Sequence, residues 1–312
     1  MSSGTAGLWR NSMRKLVIAS ILIAVTSLTD CQSRELKYTG VINSGSWMRN
    51  IRVPYEVDGI KKHNTIQIYF PKNYSKQKGA RTLIALHGYK GNLQQWEQHT
   101  SIESYADTYH FVIVCPDMGT TIYETKYYPE TKNKWNGIPG GKWIAEILIP
   151  FLRDYFGIAT NRFMTGIFGN STGGRGAVLL SALYPDLFGA AAGLSGDYDP
   201  LSMPKDRLLT SVYGTFKKFK ERWRNDDNII TRGENLVRTP VFIAHGEKDR
   251  VVPFEQSRIL AIRLIQLRKK EGDFIVEYYL KRYRFHDWAF WRSMTPLIMS
   301  FFNKHLSADK TE

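Results

Sequence analysis

From residue 82 onward, short uninterrupted apolar runs alternate with amphipathic stretches. Thr82 to Leu86 (TLIAL) and Phe111 to Cys115 (FVIVC) are two such runs, separated by a polar stretch of helical character. A strand reads this way when neither face meets water, as in a parallel sheet covered by helices on both sides. Between Lys142 and Phe156, the residues Ile144, Ile147, Leu148, Phe151, Leu152 and Tyr155 recur at helical spacing and predict a helix with one apolar face. The same rhythm predicts a strand near Phe163 to Phe168, a helix from about Gly174 to Leu183 and a strand at Ala190 to Leu194. An irregular stretch from Asp197 to Thr239 follows. Beyond it come a strand at Val241 to Ala244, a helix from Pro253 to about Lys270, a strand at Phe274 to Leu280 and a last helix from Trp288 to His305. Upstream, Leu36 to Val41, Ile51 to Val57 and Thr65 to Phe70 alternate only partly and are punctuated by Asp58-Gly59, which predicts antiparallel strands. The expected architecture is one doubly wound α/β domain over residues 36–307, its sheet mostly parallel with antiparallel N-terminal strands.

The N-terminus has a different pattern. Arg14 and Lys15 precede a mostly apolar run from Leu16 to Leu28, the order of a secretory signal peptide, and too short to span a bilayer comfortably. Residues 1–31 are therefore expected to be an export signal, with Met13 an alternative start, and the protein to be periplasmic or secreted. Cys31 closes the run as the lipidated residue of a bacterial lipoprotein box would, although Asp30 stands where such a box carries a small residue. Lipid anchoring to the cell envelope through Cys31 is thus a second expectation.

Composition changes this picture little. The chain has 312 residues, of which 43% are hydrophobic, enough to fill a large core. Lys and Arg number 43 against 29 Asp and Glu, a formal net charge of +14. Removing the first 30 residues loses Arg10, Arg14, Lys15 and Asp30, so the positive excess belongs to the body. It favours contact with anionic surfaces such as an acidic polysaccharide, the envelope or a membrane, but a basic enzyme surface without such a partner is the plainer and favoured reading. The basic residues are scattered, without zinc spacing or a recognition helix, so no nucleic-acid partner is expected. Two cysteines, Cys31 and Cys115, cannot build a disulfide framework or a metal cluster, and Cys115 reads as a small core residue.

Candidate chemistry begins at Gly169-Asn170-Ser171-Thr172-Gly173, placed where an apolar strand stops and a helix starts. A G-x-S-x-G turn there holds the Ser171 hydroxyl out at the sheet edge, and its crowded backbone demands small neighbours. A hydroxyl needs a base to remove its proton, and the base needs a carboxylate to fix its tautomer. After the strand at Val241 stands His245-Gly246-Glu247-Lys248-Asp249, and after the last strand stands His286. Each of Ser171, Asp249 and His286 follows a strand, so all three can converge on one sheet edge. Asp197 is the runner-up acid and Asp287 adjoins the base. His245 is expected to order the loop around Asp249, while His63, His99, His110 and His305 lie outside these loops. The N–H of Thr172 and, after TLIAL, the N–H of Tyr89 in His87-Gly88-Tyr89 are the expected donors to an oxyanion. This chemistry calls for no metal or organic cofactor.

The stretches IQIYFPKNY, TLIALHGYKGN, VIVCPD, TGIFGNSTGGRGA, YPDLFGAAAGLSGDYD, HGEKDRVVP and FHDWAFW, together with the helix carrying Glu146 and Pro150, resemble the α/β-hydrolase fold. Within it they are similar to the esterase group that includes esterase D and feruloyl esterases. They cover most of residues 50 to 305. The resemblance implies a serine hydrolase of carboxylic esters, with Ser171, Asp249 and His286 as its catalytic residues and Tyr89 and Thr172 as its oxyanion donors. Thr172 replaces the Met that the group often has, which keeps the N–H and adds a β-branch near the acyl pocket. The HG and D-x-x-V-P patterns also occur in serine peptidases of this fold, so a peptidase, an acyltransferase or a non-catalytic envelope-binding protein are the alternatives.

The substrate expected is a small-molecule or polysaccharide-linked ester. The long connection from Met118 to Gly141 carries Tyr123, Tyr127, Tyr128 and Trp135, which either wall the pocket and stack on a sugar or phenolic ester, or pack the loop down. Phe216, Phe219 and Trp223 share a helical face among Lys217, Lys218, Lys220, Arg222 and Arg224. That segment reads as a helix packed by its apolar stripe, with docking to an anionic substrate or membrane as the alternative. Trp288 and Trp291 either wall the site or pack the core, with packing favoured for Trp291.

Overall fold

A computed structural model describes residues 37–75, 80–271 and 275–307. The expected export signal, Cys31 and Leu36 lie outside these residues. Eight strands form one sheet in the order β1-β2-β4-β3-β5-β6-β7-β8. They are β1 (Ser46–Val57), β2 (Ile60–Phe70), β3 (Arg81–Leu86), β4 (Phe111–Pro116), β5 (Thr165–Asn170), β6 (Ala190–Leu194), β7 (Val241–Gly246) and β8 (Val276–Lys281). β1 and β2 form an antiparallel hairpin through Asp58-Gly59, and β2 pairs antiparallel with β4. Every pairing from β4 to β8 is parallel. The architecture is the α/β-hydrolase fold with antiparallel N-terminal strands.

The uninterrupted apolar runs are buried on both faces, for the reason their sequences suggest. Ile84, Leu86, Val112, Val114 and Ile167 point to one side, against the helical segment 140–156 and the inner face of α3 (Thr172–Leu183). Leu83, Ala85, Ile113, Cys115 and Phe168 point to the other, against α2 (Ile102–Tyr109) and α7 (Trp288–His305). Ahead of α2 lies the short α1 (Gln95–His99). α6 (Glu255–Glu271) packs with α3 over β7. Among the described residues, no helix is long and apolar enough to cross a membrane.

The structure departs from the sequence reading in three places. Residues 37–41 form no strand. Instead, Tyr38 docks by its N–H on Tyr155 O and by its ring on Phe156, while Val41 is exposed. The helix read as Lys142 to Phe156 starts at Gly140 and passes through two π-type turns. In the first, Ile149 N–H bonds back to Ile144 O, just before Pro150, which has no N–H to give. The stretch read as irregular from Asp197 to Thr239 holds, besides the helix read at Phe216 to Trp223 (α5, Phe216–Asn225), α4 (Arg207–Tyr213) and several shorter helical turns. Such short helices, with caps at Asp199, Asp206 and Asn228, leave too few turns for a periodic pattern to emerge.

Candidate active site

Ser171 sits between the end of β5 and the first turn of α3, with φ at +55°. A side chain in that region carries strain, and here packing imposes it. A Cβ on Gly169 would lie 2.5 Å from Gly173 backbone atoms, and one on Gly173 would lie 2.6 Å from Leu86 O and His87 O. The turn is therefore pressed against the end of β3 so closely that only glycine fits at either position. Ser171 N–H donates to Leu194 O at 2.8 Å, which ties the turn to β6 as well.

His286 lies in the loop after β8, its Nε2 2.9 Å from Ser171 Oγ and its Nδ1 2.6 Å from Asp249 Oδ2. The three residues thus form one hydrogen-bonded chain across three loops. The Asp249 side chain is fully buried and that of His286 nearly so. Burial by itself raises the Asp249 pKa, but hydrogen bonds from His245, His286 and Val252 N–H outweigh it and hold the carboxylate well below its usual range. Its other oxygen, Oδ1, accepts from the N–H groups of Val251 and Val252 at 2.9 Å each.

His245, at the end of β7, is completely buried behind this carboxylate. Its Nε2 is 3.0 Å from Val252 O and 3.2 Å from Asp249 Oδ2, both acceptors, so Nε2 carries a proton. Nδ1 then accepts from the Ser257 hydroxyl at 2.7 Å. Asp197 stands apart, 3.1 Å from Arg175 Nε, and Asp287 caps α7 by accepting from Phe290 N–H. Neither bonds to His286. His99 stacks its ring on Trp288.

The loop after β3 is held by a neutral histidine. His87 Nδ1–H donates to Gly88 O at 2.7 Å, Nε2 accepts from Met118 N–H at 2.8 Å, and burial lowers its pKa. The Tyr123 hydroxyl donates to His87 O, closing the loop from the other side. Gly88 and Tyr89 are thereby brought beside Ser171, a Cβ on Gly88 coming within 3.1 Å of Ser171 Cβ. Among the described residues, the N–H groups of Tyr89 and Thr172 donate to no other group.

A cavity of about 340 Å³ opens on Ser171 and His286. Of the aromatic residues expected to wall it, Tyr123, Tyr128 and Trp135 are buried, and the Tyr127 hydroxyl donates to Trp135 O and Ile138 O. These rings pack the connection onto the body, and Ile122 is what that connection presents to the cavity. Trp291 both packs and lines it: its ring stands at 84° to His286 with centroids 5.1 Å apart, and its Nε1–H donates to Ser195 Oγ. Trp288 lines the cavity too. Met203, Asp206 and Leu209 from the region of α4 close it, a contribution that no motif in the sequence marks.

Asp197 reaches the same cavity and is buried; desolvation, opposed by Arg175, pushes its pKa up to about 6. Arg175 is entirely buried and also donates to Ile122 O, the Tyr213 hydroxyl and Asp227 O. One guanidinium on α3 thus fastens both segments that roof the site. Among the described residues, no cluster of His, Cys, Asp and Glu could hold a metal ion.

The sheet order, with a serine on a tight turn after β5, defines an α/β-hydrolase. The chain belongs to the esterase family described as "Putative esterase", whose model matches residues 58–299, and it is a carboxylic ester hydrolase. It is similar to an acetyl esterase of Caldicellulosiruptor saccharolyticus, 24% identical over 255 residues that span 74% of this chain and 90% of that one. It is also similar to acetylxylan esterase A of Emericella nidulans, 23% identical over 58% of this chain and 60% of that one. Among solved structures, an S-formylglutathione hydrolase from Agrobacterium tumefaciens shares the fold with a TM-score of 0.66 at 16% identity, over 87% of this chain and 100% of that one.

Proposed function

We propose that the protein hydrolyses short-acyl esters of sugar-type alcohols, free or polysaccharide-linked, through Ser171, His286 and Asp249. The observation that carries this reading is the position of His286, bonded at one nitrogen to Asp249 and at the other to Ser171. His286 Nε2 takes the Ser171 proton as Oγ bonds to the acyl carbon, and the carbonyl electron pair moves onto its oxygen. The N–H groups of Tyr89 and Thr172 hold that oxyanion, while Asp249 stabilises the imidazolium. Collapse breaks the bond to the alcohol oxygen, which takes the proton from His286. Water, deprotonated by His286, then attacks the acyl-enzyme; the bond from the acyl carbon to Ser171 Oγ breaks, Oγ takes the proton back from His286, and the acid leaves. A cavity of about 340 Å³ with apolar walls suits a small acyl group, and the acetyl and acetylxylan esterase relatives favour the same size and class of substrate.

Turnover of p-nitrophenyl esters from acetate to laurate by the full chain, beside Ser171→Ala, tests this. Acetate and butyrate are expected to react fastest, and the variant to lose about 10⁴-fold or more in kcat. Undiminished turnover by folded Ser171→Ala, or none by the folded wild type, overturns it.

A further inference from the structure

A second concavity lies next to the first. It has a volume of about 580 Å³ and is lined by Glu130, Lys132, Lys205, Arg207, Lys218 and Phe219, among others. Its wall is the same segment that closes the Ser171 cavity. Met203, Asp206, Leu208 and Leu209 line the cavity, whereas Lys205, Arg207, Thr210 and Ser211 line the groove. The groove is built from three elements fastened together. Lys132 and Asn133 donate by their N–H groups to Ser211 O, which binds the 118–141 connection to α4, and Arg222 on α5 donates to Tyr213 O.

Charge divides sharply across this wall. The cavity at Ser171 is lined by Asp197 and Asp206 and by no lysine or arginine. In the groove, Glu130 is engaged by Arg222 at 2.7 Å. Lys132, Lys205, Arg207 and Lys218 are exposed, and among the described residues none lies within 4.0 Å of a carboxylate. Four cations are thus gathered over a concave surface whose one lining carboxylate, Glu130, is paired with Arg222, one wall away from the reacting serine.

We propose that this groove is a subsite for the carboxylate-bearing residues of an acidic polysaccharide, one that presents an esterified neutral sugar to Ser171. The inference rests on the esterase reading for the second half of that statement only. The polarity fits a polymer of mixed charge. A uronate would meet no lysine or arginine in the Ser171 cavity, where Asp206 stands beside an Asp197 paired with buried Arg175, while the neighbouring residues of the same chain would meet Lys205, Arg207, Lys132 and Lys218. A membrane surface fits less well, because the rings that would enter it are already occupied. Trp223 is 1% exposed and donates to Gly214 O, Phe216 packs edge-on against it, and Arg222 covers Phe219 at 3.7 Å.

The test is binding by the full chain carrying Ser171→Ala, which prevents turnover, measured by calorimetry. The probes are polygalacturonate, neutral xylan and vesicles of phosphatidylglycerol with phosphatidylcholine. Polygalacturonate is expected to bind, neutral xylan much more weakly, and vesicles not at all. Replacing Lys132, Lys205, Arg207 and Lys218 with Gln should weaken polygalacturonate binding by about tenfold or more, through loss of several exposed ion pairs. Raising the salt concentration should weaken binding to the unaltered groove more than to the neutralised one. Equal binding of the two polysaccharides, no loss on neutralising the groove, or binding to vesicles and not to polygalacturonate overturns the proposal. Hydrolysis of p-nitrophenyl acetate by the wild type is read separately, so failure of the esterase reading leaves the binding result interpretable.

Discussion

His245 and His286 converge on the same oxygen of Asp249, at 3.2 and 2.6 Å. Only His286 reaches Ser171; His245 is sealed inside and fixed by Ser257 and Val252 O. It is placed to set the carboxylate and to share part of its charge. Replacing His245 with Ala should leave the Ser257 hydroxyl and Val252 O without their partner and cost about 2–4 kcal/mol of stability. Ser257→Ala is the gentler probe, because it frees the His245 ring without emptying the site. With less of the Asp249 charge shared, the acid limb of kcat/KM should move to higher pH, and kcat should fall with little change in KM. An unmoved pH profile in a folded Ser257→Ala protein would assign His245 a purely structural role.

Gly173 sits where α3 meets the loop that carries Tyr89. In Gly173→Ala the new Cβ falls 2.6 Å from two backbone oxygens, which cannot swing aside as a side chain would. The loop after β3 has to retreat, at a cost of about 3 kcal/mol or more. Thermal unfolding should show the loss. Any folded fraction should turn over p-nitrophenyl acetate with reduced kcat, since the Tyr89 N–H moves relative to Ser171.

Export gives a prediction about the body of the chain. If residues 1–31 are a cleaved signal, the mature protein recovered from a bacterial host should be found outside the cytoplasm and should have lost the Leu16 to Leu28 run, as intact-mass measurement would reveal. A lipid on Cys31 would add the mass of acyl chains and partition the protein into detergent, both abolished by Cys31→Ser. A cytoplasmic protein of full mass would rule out export.

The uninterrupted runs of β3 and β4 announce a covered parallel sheet, because burial on both faces leaves no room for alternation. The meeting of Ser171, Asp249 and His286 was legible for a related reason: each lies in a loop that follows a strand, and strands are visible. The roof was not. Met203, Asp206 and Leu209 reach the cavity from short, capped helices whose placement depends on the buried Arg175, and an arginine one turn into a helix looks in sequence like a surface residue. The tyrosines of the 118–141 connection were ambiguous because aromatic rings suit a binding wall and a core equally. The structure buries two of the three, Tyr123 and Tyr128, together with Trp135, which only the neighbouring elements could decide.

Asp197 gives the stability of the protein a distinctive pH dependence. Its pKa is pushed up to about 6 in the folded state, against an ordinary carboxylate value near 4 when unfolded. Between these values the unfolded chain has released the proton and the folded chain still holds it. Stability from this group is therefore fully present below about pH 4 and is lost as pH rises through 6, by on the order of 3 kcal/mol. Asp249 acts in the opposite sense. Its depressed pKa contributes stability above the ordinary carboxylate range, which is lost only in strong acid. Asp197→Asn removes the first effect and keeps the second. The variant should match the wild type at pH 4, where folded Asp197 already carries its proton and Asn is its neutral counterpart, and should be the more stable of the two by pH 7. Denaturant unfolding of both proteins at pH 4, 5.5 and 7 reads this directly. A wild type that gains on the variant as pH rises would mean that the ion pair with Arg175 outweighs burial and that Asp197 is charged throughout.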